Sequence, residues 1–195
     1  MKVGLYFGSF NPVHIGHVVI ANHLVQYSDL DEVWMVVTPH NPLKKKKGLL
    51  DDFHRIHLVH LATADYDYLR PSDIEFNLPQ PNYTVNTMAY LQERFPKYEF
   101  ALIMGEDNLD SLHKWKNYDV LLEQYKIHVY PRVDRQRIEP SPLMQHPNVI
   151  LVENAPIMEI SATFIREAIK EGKNVQPLLD KEVWKYIDHN LFYKK

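Results

Sequence analysis

The sequence contains no cysteine. Disulfide bonds, iron–sulfur clusters and zinc sites built on thiolates are therefore excluded. It also lacks an apolar run close to the roughly 20 residues that a membrane-spanning helix needs. Asn11, Pro12 and His14 interrupt the short apolar start before a signal peptide could form. These absences predict a cytoplasmic protein with no membrane partner.

An excess of positive charge is missing as well. Lysine and arginine number 22 against 25 acidic residues, which gives a formal net charge of −3. An extended nucleic-acid backbone requires a basic surface, so no nucleic-acid partner is predicted. The 45% hydrophobic and 24% charged residues are typical of a globular protein, and 195 residues predict a single domain that spans 1–195. The oligomeric state is left open.

Short apolar runs alternate with amphipathic segments along the chain. This alternation predicts an α/β fold: a Rossmann-like parallel sheet with helices on both faces, on which C-terminal helices from about residue 161 pack. The predicted strands are Lys2–Phe7, Val33–Thr38, Glu99–Met104, Ile127–Tyr130 and Val149–Val152, with a weaker extended segment at Asp73–Phe76. The predicted helices are Val13–Tyr27, Asp51–Asp65, Thr84–Phe95, Asp107–Trp115, Val120–Gln124, Ala162–Glu171 and Leu179–Asn190. The irregular stretch Arg132–Pro147 is either a lid or a surface loop.

The segment after the first strand carries the clearest chemical signal. Gly8 allows a sharp turn and a close approach to a ligand, and Pro12 fixes the entry to the following helix. His14 and His17 are three residues apart at the start of that helix, so they share a face with its unpaired N–H groups. The start of this helix thus combines imidazoles, free amides and the positive end of the helix dipole. This combination indicates a phosphate site.

Other interpretations of this segment are weaker. The spacing matches neither the dinucleotide pattern G-x-G-x-x-G nor the P-loop pattern G-x-x-x-x-G-K-[ST]. Two histidines at this spacing also occur in metal sites, but no third ligand is evident, and no metal ligand is predicted among the residues of the chain. An ordinary pair of histidines at a helix start is the remaining structural alternative.

Two motifs carry a resemblance to a known family. Gly8–His17 reads GSFNPVHIGH, and Ile160–Arg166 reads ISATFIR. Both resemble the nucleotidylyltransferases that carry the HxGH signature. Tyr83-Thr84 near Asn86, the segment from Gly105 to Trp115, and the loop that contains Lys44 are further similar to the bacterial nicotinate-nucleotide adenylyltransferases. One departure is Asn86, where that family usually has Asp, and we interpret it as a structural capping residue.

The resemblance implies a set of site residues. Those implied to be catalytic are His14, His17 and Arg166. Those implied to bind ATP are Gly8, Ser9, Phe10, His14, His17, Lys44, Gly105, Asp107, Ser161 and Arg166. Those implied to bind nicotinate mononucleotide are Tyr83, Thr84, Trp115 and Arg132. If the resemblance is set aside, the residues alone favour simpler roles. Ser161 and Thr84 are then helix caps, and Asp107 is either a cap or a ribose ligand. Trp115 is then a core residue, and Lys44 and Arg132 are surface residues.

The implied activity is adenylyl transfer from ATP to nicotinate mononucleotide in NAD biosynthesis, with Mg²⁺ entering with ATP. The nucleophile is a phosphate monoester that is already anionic at neutral pH, so neither a general base nor a covalent intermediate is required. The alternatives are pantetheine-phosphate adenylyltransferase, a cytidylyltransferase, or a nucleotide-sensing module without turnover. A tRNA ligase fragment shares only the HIGH tetrapeptide. We further expect nicotinate mononucleotide to be preferred over its amide analogue, in a pocket that offers only donors.

Overall fold

Six parallel strands form the centre of the computed structural model, which describes residues 1–40, 48–131 and 141–194. The order across the sheet is β3-β2-β1-β4-β5-β6, the doubly wound order in which the direction of winding reverses between β1 and β4. The strands are β1 (Lys2–Gly8), β2 (Glu32–Val37), β3 (Leu69–Ser72), β4 (Glu99–Gly105), β5 (Ile127–Tyr130) and β6 (Val149–Leu151). The predicted α/β class with a parallel sheet is confirmed.

Helices cover both faces of the sheet. The α-helices are α1 (Ile15–Tyr27), α2 (Asp52–Thr63), α3 (Thr84–Arg94), α4 (Glu106–Asp110), α5 (Tyr118–Gln124), α6 (Ala162–Lys170) and α7 (Lys181–His189). Short 3₁₀ helices lie at Ile74–Asn77, Leu112–Lys114, Pro142–Gln145 and Gln176–Leu178. Among the described residues, none of the helices combines the length and apolarity that crossing a bilayer requires.

The two cores follow from the alternation of side chains along the strands. In β4, Phe100 and Leu102 face the core beneath α3, α4 and α5, whereas Ala101 and Ile103 face the core beneath α1, α2, α6 and α7. The C-terminal helices are part of the second core, because Ile165 of α6 and Val183 and Ile187 of α7 are fully buried there.

Two predicted elements are wrong. The extended segment predicted at Asp73–Phe76 is instead the 3₁₀ helix Ile74–Asn77, and the strand lies earlier, at Leu69–Ser72. This strand contains Pro71, which cannot donate a ladder hydrogen bond, and it is tolerated because β3 is at the edge of the sheet. The predicted helix Asp107–Trp115 is divided into α4 and the 3₁₀ helix Leu112–Lys114.

A buried histidine lies on β5, away from the carboxyl ends of the strands. His128 is 1% exposed, and neither of its ring nitrogens has a hydrogen-bond partner within the described residues. Burial lowers the pKa of His128; Asp29, whose carboxylate lies 3.9 Å from Nε2, opposes this shift, and Lys126 adds to it. The folded protein therefore favours the neutral form of the ring more than the unfolded chain does.

We expect the folded protein to lose stability as the pH falls below the ordinary histidine pKa of about 6.5. The unfolded chain then binds a proton at His128 more readily than the folded chain does. The free energy of unfolding should therefore be lower at about pH 5.5 than at about pH 7, while Asp29, with its pKa lowered to about 2, stays ionised. Urea unfolding of the wild type and of His128→Leu at both pH values measures this change in the free energy of unfolding. Equal pH dependence in the two proteins would contradict the prediction.

Candidate active site

The carboxyl ends of β1, β2 and β4 border a cleft with two compartments. The histidine compartment, of about 420 Å³, contains His14, His17, Ser161 and Arg166 in its wall. The tryptophan compartment, of about 300 Å³, contains Tyr83, Thr84 and Trp115. The two share wall residues, namely Phe7, Gly8, Ser9, Thr38 and Asn108. The resemblance implies that these two groups of residues bind different substrates. They lie in adjoining compartments where the direction of winding of the sheet reverses, between β1 and β4.

The two histidines are held together at the start of α1. His14 is the N-cap residue and is 6% exposed, and its ring stacks on that of His17 with centroids 3.7 Å apart. The backbone N–H of His14 donates to Nδ1 of His17 over 3.2 Å. Because Nδ1 accepts this bond, the neutral His17 ring carries its proton on Nε2, which makes Nε2 a donor.

The buried side chain of Phe10 packs against His17. The Phe10 ring lies edge-on to that of His17, with centroids 5.0 Å apart, and Phe10 is 2% exposed. The sharp turn that we expected at Gly8 occurs at Phe10, which adopts φ of 43° in the left-handed region. Gly8 is needed for a different reason, since a Cβ there would lie 2.8 Å from the Phe10 ring. The absence of a side chain at Gly8 therefore leaves the space that the Phe10 ring occupies next to His17.

The second motif begins a helix beside this pair. Ser161 is the N-cap of α6, and its hydroxyl accepts from the N–H of Phe164 over 3.1 Å. This confirms the predicted cap. Arg166 lies one turn further along, and its Nη1 donates to the carbonyl of Asn11 over 2.8 Å. The guanidinium is thereby fixed to the loop that precedes the histidines, with further donors for a phosphate oxygen.

Other predicted residues are placed differently from expectation. Asp107 lines the histidine compartment, but it is not a cap, because Gly105 is the N-cap residue of α4. Gly105 is buried, pairs with Tyr130 in the sheet, and is absent from the described walls of both compartments. Lys44 and Arg132 lie outside the described residues, as does most of the stretch Arg132–Pro147, predicted to be either a lid or a surface loop.

The start of α3 also corrects the sequence-based interpretation. Tyr83, not Thr84, is the N-cap residue, and no side chain within the described residues caps this helix. Asn86 is the third residue of the helix and its side chain does not cap it, so the capping role that we assigned to it is wrong. The first amides of α3 are left without a side-chain partner beside the tryptophan compartment, where an anionic group can accept from them.

Asn11 and Arg55 organise the cleft, although sequence reasoning gave neither of them a site role. Asn11 is 3% exposed; its Nδ2 donates to the carbonyl of Gly48, and its Oδ1 accepts from the N–H of Leu50 and the hydroxyl of Tyr193. It therefore ties two distant segments, the one at Gly48–Leu50 and the one at Tyr193, to the loop before α1. His40, to which the sequence analysis gave no role, also lies in the wall of the histidine compartment.

Arg55 of α2 is fully buried behind the cleft. Its Nη1 donates to the carbonyls of Ser9 at 2.6 Å and Thr38 at 3.0 Å, its Nε donates to the carbonyl of Leu50 at 3.1 Å, and its Nη2 pairs with Asp52. Ser9 and Thr38 are shared by both compartments. The guanidinium thus fixes the spacing between the ends of β1 and β2, which no local pattern in the sequence indicates.

We expect Arg55→Lys to destabilise the protein by about 2–4 kcal/mol, because one ammonium group cannot replace the planar set of donors that the buried guanidinium offers to three backbone carbonyls. The same change should raise KM for both substrates, since both compartments lose a fixed wall. Chemical unfolding and steady-state kinetics measure the two effects. Arg70→Lys, on an exposed side chain, is the matched control, with an expected change below about 0.5 kcal/mol. Similar stability of the two variants would contradict this role.

The fold and the cleft define a nucleotide-binding α/β protein. The signature of the family described as cytidylyltransferase-like matches residues 5–168. A probable nicotinate-nucleotide adenylyltransferase from Flavobacterium psychrophilum is 66% identical to this chain over 195 residues, and the alignment covers 100% of both chains. The homologue with the same description from Flavobacterium johnsoniae is 61% identical, again over 100% of both chains.

Solved structures agree on the fold. The nicotinic acid mononucleotide adenylyltransferase of Plasmodium falciparum complexed with NaAD superposes with a TM-score of 0.82 at 17% identity, over 99% of this chain and 97% of that one. The chain belongs to the cytidylyltransferase-like family and, within it, to the nicotinate-nucleotide adenylyltransferases.

Proposed function

We propose that the protein transfers the adenylyl group of ATP to the phosphate of nicotinate mononucleotide, giving nicotinate adenine dinucleotide and pyrophosphate. The observation that carries this proposal is the pair of adjoining compartments, one with imidazoles, a guanidinium and a helix N-terminus, the other with an indole and free helix amides. The first suits a polyphosphate and the second suits an aromatic carboxylate. A shared wall brings the reacting phosphates together.

The reaction is a direct in-line displacement. An oxygen of the mononucleotide phosphate forms a bond to the α-phosphorus of ATP, and the bond from that phosphorus to the bridging oxygen of the β-phosphate breaks. The leaving group is pyrophosphate. Positioning of the two anions accounts for much of the rate enhancement, since the nucleophile is already ionised.

The residues of the histidine compartment offset the negative charge that develops in this step. Nε2 of His17 donates to an oxygen of the transferring phosphoryl group, and Arg166 donates to the leaving pyrophosphate. His14 lies against His17 and binds the same phosphate chain. Preorganised donors of this kind stabilise a transition state more than the ground state, because they are already oriented before the reaction begins.

We also propose that Mg²⁺ enters with ATP. The side chains at the histidine end are imidazoles, a guanidinium and a hydroxyl, which suit phosphate oxygens, while Asp107 supplies a carboxylate in the same wall. Magnesium commonly keeps several waters and binds through one or two carboxylates plus substrate phosphates, and this donor set fits that pattern. When bound, the ion would neutralise charge on the phosphate chain.

A pyrophosphate-release assay with ATP and each of three acceptors tests the function. We expect turnover with nicotinate mononucleotide, weak turnover with nicotinamide mononucleotide, and none with phosphopantetheine. Preference for phosphopantetheine would identify the pantetheine-phosphate alternative instead. Nucleotide binding without pyrophosphate release for any acceptor would indicate a sensing module.

A further inference from the structure

A buried acid lies in the wall of the tryptophan compartment. Glu75, in the 3₁₀ helix Ile74–Asn77, is 1% exposed. Its Oε1 accepts from the hydroxyl of Thr87 over 2.7 Å, but its Oε2 has no hydrogen-bond partner within the described residues. The site proposed above for the mononucleotide therefore contains a carboxyl group with unused capacity to interact.

No described cation balances this carboxyl group. Burial raises the pKa of Glu75, and the hydroxyls of Thr87 and Thr38 oppose that shift, without a charged side chain among the causes. Lys114 and Lys116 line the same compartment but are exposed, and the ammonium of Lys116 lies over the Tyr83 ring, 4.5 Å from its centroid. A buried carboxylate without a cation is costly, so a positive charge brought by a ligand would offset this cost.

A second unpaired acceptor lies beside Glu75. Asn82 is 5% exposed, and its Nδ2 donates to the backbone carbonyl of Glu75 over 3.0 Å. This bond assigns the amide orientation and leaves Oδ1 of Asn82 as a buried acceptor without a described partner. The Oε2 atom of Glu75 and the Oδ1 atom of Asn82 are thus two buried acceptors in the same wall of the tryptophan compartment. The expectation that this pocket offers only donors is wrong.

We propose that Glu75 is a specificity-determining residue that recognises the positive charge of the pyridinium ring, and this proposal rests on the proposed function. The ring nitrogen of an N-ribosylated pyridine is permanently charged and carries no proton. It cannot donate a conventional hydrogen bond and is recognised through its charge. A buried carboxyl group in the same compartment as Trp115, whose indole face also attracts cations, meets that requirement.

The compartment then complements both ends of a zwitterion. The free amides at the start of α3 and the two lysines suit the anionic substituent of the ring, and Glu75 suits the ring itself. A planar aromatic ring without the charge would retain its packing on Trp115 and its carboxylate contacts, but it would lose the interaction with Glu75.

Two ligands and one substitution test this proposal. The first ligand is nicotinate mononucleotide, and the second is its C-nucleoside analogue in which an uncharged 3-carboxyphenyl ring replaces the pyridinium ring. Dissociation constants are measured by calorimetry for wild type, Glu75→Gln and the matched control Glu93→Gln, which changes an exposed glutamate outside the described walls of both compartments. We expect Glu75→Gln to weaken binding of the charged ligand by about tenfold to a hundredfold while changing that of the phenyl analogue less than about twofold. Glu93→Gln should leave the affinity for both ligands unchanged.

An equal loss for both ligands in Glu75→Gln would overturn the proposal in favour of a hydrogen-bonding or structural role, and no loss for either would remove Glu75 from recognition. If the variant does not fold, the wild type alone decides, because equal affinity for the charged and uncharged rings contradicts the proposal. Wild-type protein that binds neither ligand would instead argue against the proposed function.

Discussion

Replacing His17 with alanine is expected to lower kcat by about 10²-fold or more, with a smaller change in KM for either substrate. The Nδ1 atom of His17 accepts the N–H of His14, so its Nε2 is a fixed donor toward the phosphate chain. A donor that acts mainly as charge develops contributes to turnover more than to ground-state binding. Steady-state kinetics under saturating ATP measure the split.

The control for this experiment is His113→Ala, because His113 is exposed and lies outside the described walls of both compartments. Its kinetics should match those of the wild type. Circular dichroism and thermal unfolding establish that the His17 variant is folded, which is necessary because its ring packs against Phe10 and Tyr6. Near-normal turnover in the folded variant would remove His17 from catalysis. His14→Ala should behave similarly, with a larger effect on ATP binding.

Nicotinate mononucleotide is expected to exceed nicotinamide mononucleotide in kcat/KM by a factor on the order of 10², through mismatches of about 1–3 kcal/mol each. The free amides at the start of α3 can donate to a carboxylate, whereas the NH₂ of a carboxamide is itself a donor and would leave both groups unpaired. The buried acceptors of Glu75 and Asn82 limit the factor, because an amide that reaches them finds a partner.

Trp115→Ala separates stacking from recognition of the carboxylate. We expect it to weaken both mononucleotides by a similar factor, so that their ratio is unchanged, because stacking on the indole does not sense the substituent. Measuring kcat/KM for both ligands in both proteins tests this. Equal use of the two mononucleotides by the wild type would exclude the selectivity, and loss of preference in the variant alone would mean that Trp115 orients the carboxylate.

Local patterns in the sequence predict the elements of the fold well. The strand Ile127–Tyr130 was predicted with its observed bounds, and the α6 cap at Ser161 follows from its position before an amphipathic segment. The edge strand β3 was missed because four residues with an internal proline give almost no periodic signal.

The motifs also predict that the two groups of site residues converge, because both follow the ends of parallel strands or begin nearby helices. What they do not predict is the support behind the site. Arg55 contacts Ser9 and Thr38, and Asn11 contacts Gly48 and Tyr193, across separations in sequence that no local pattern encodes. Glu75 was missed for a different reason, since an acid in a short turn is usually solvated.

The bond between Asn11 and Tyr193 has a consequence for biosynthesis. These residues are separated by 182 positions, and Arg166 joins the same loop from 155 positions away. During translation, β1 and the loop after it are synthesised long before their hydrogen-bond partners in α6 and in the segment beyond α7. A nascent chain therefore holds an unfinished nucleotide site until those segments have left the ribosome, and we expect nucleotide binding to begin only then.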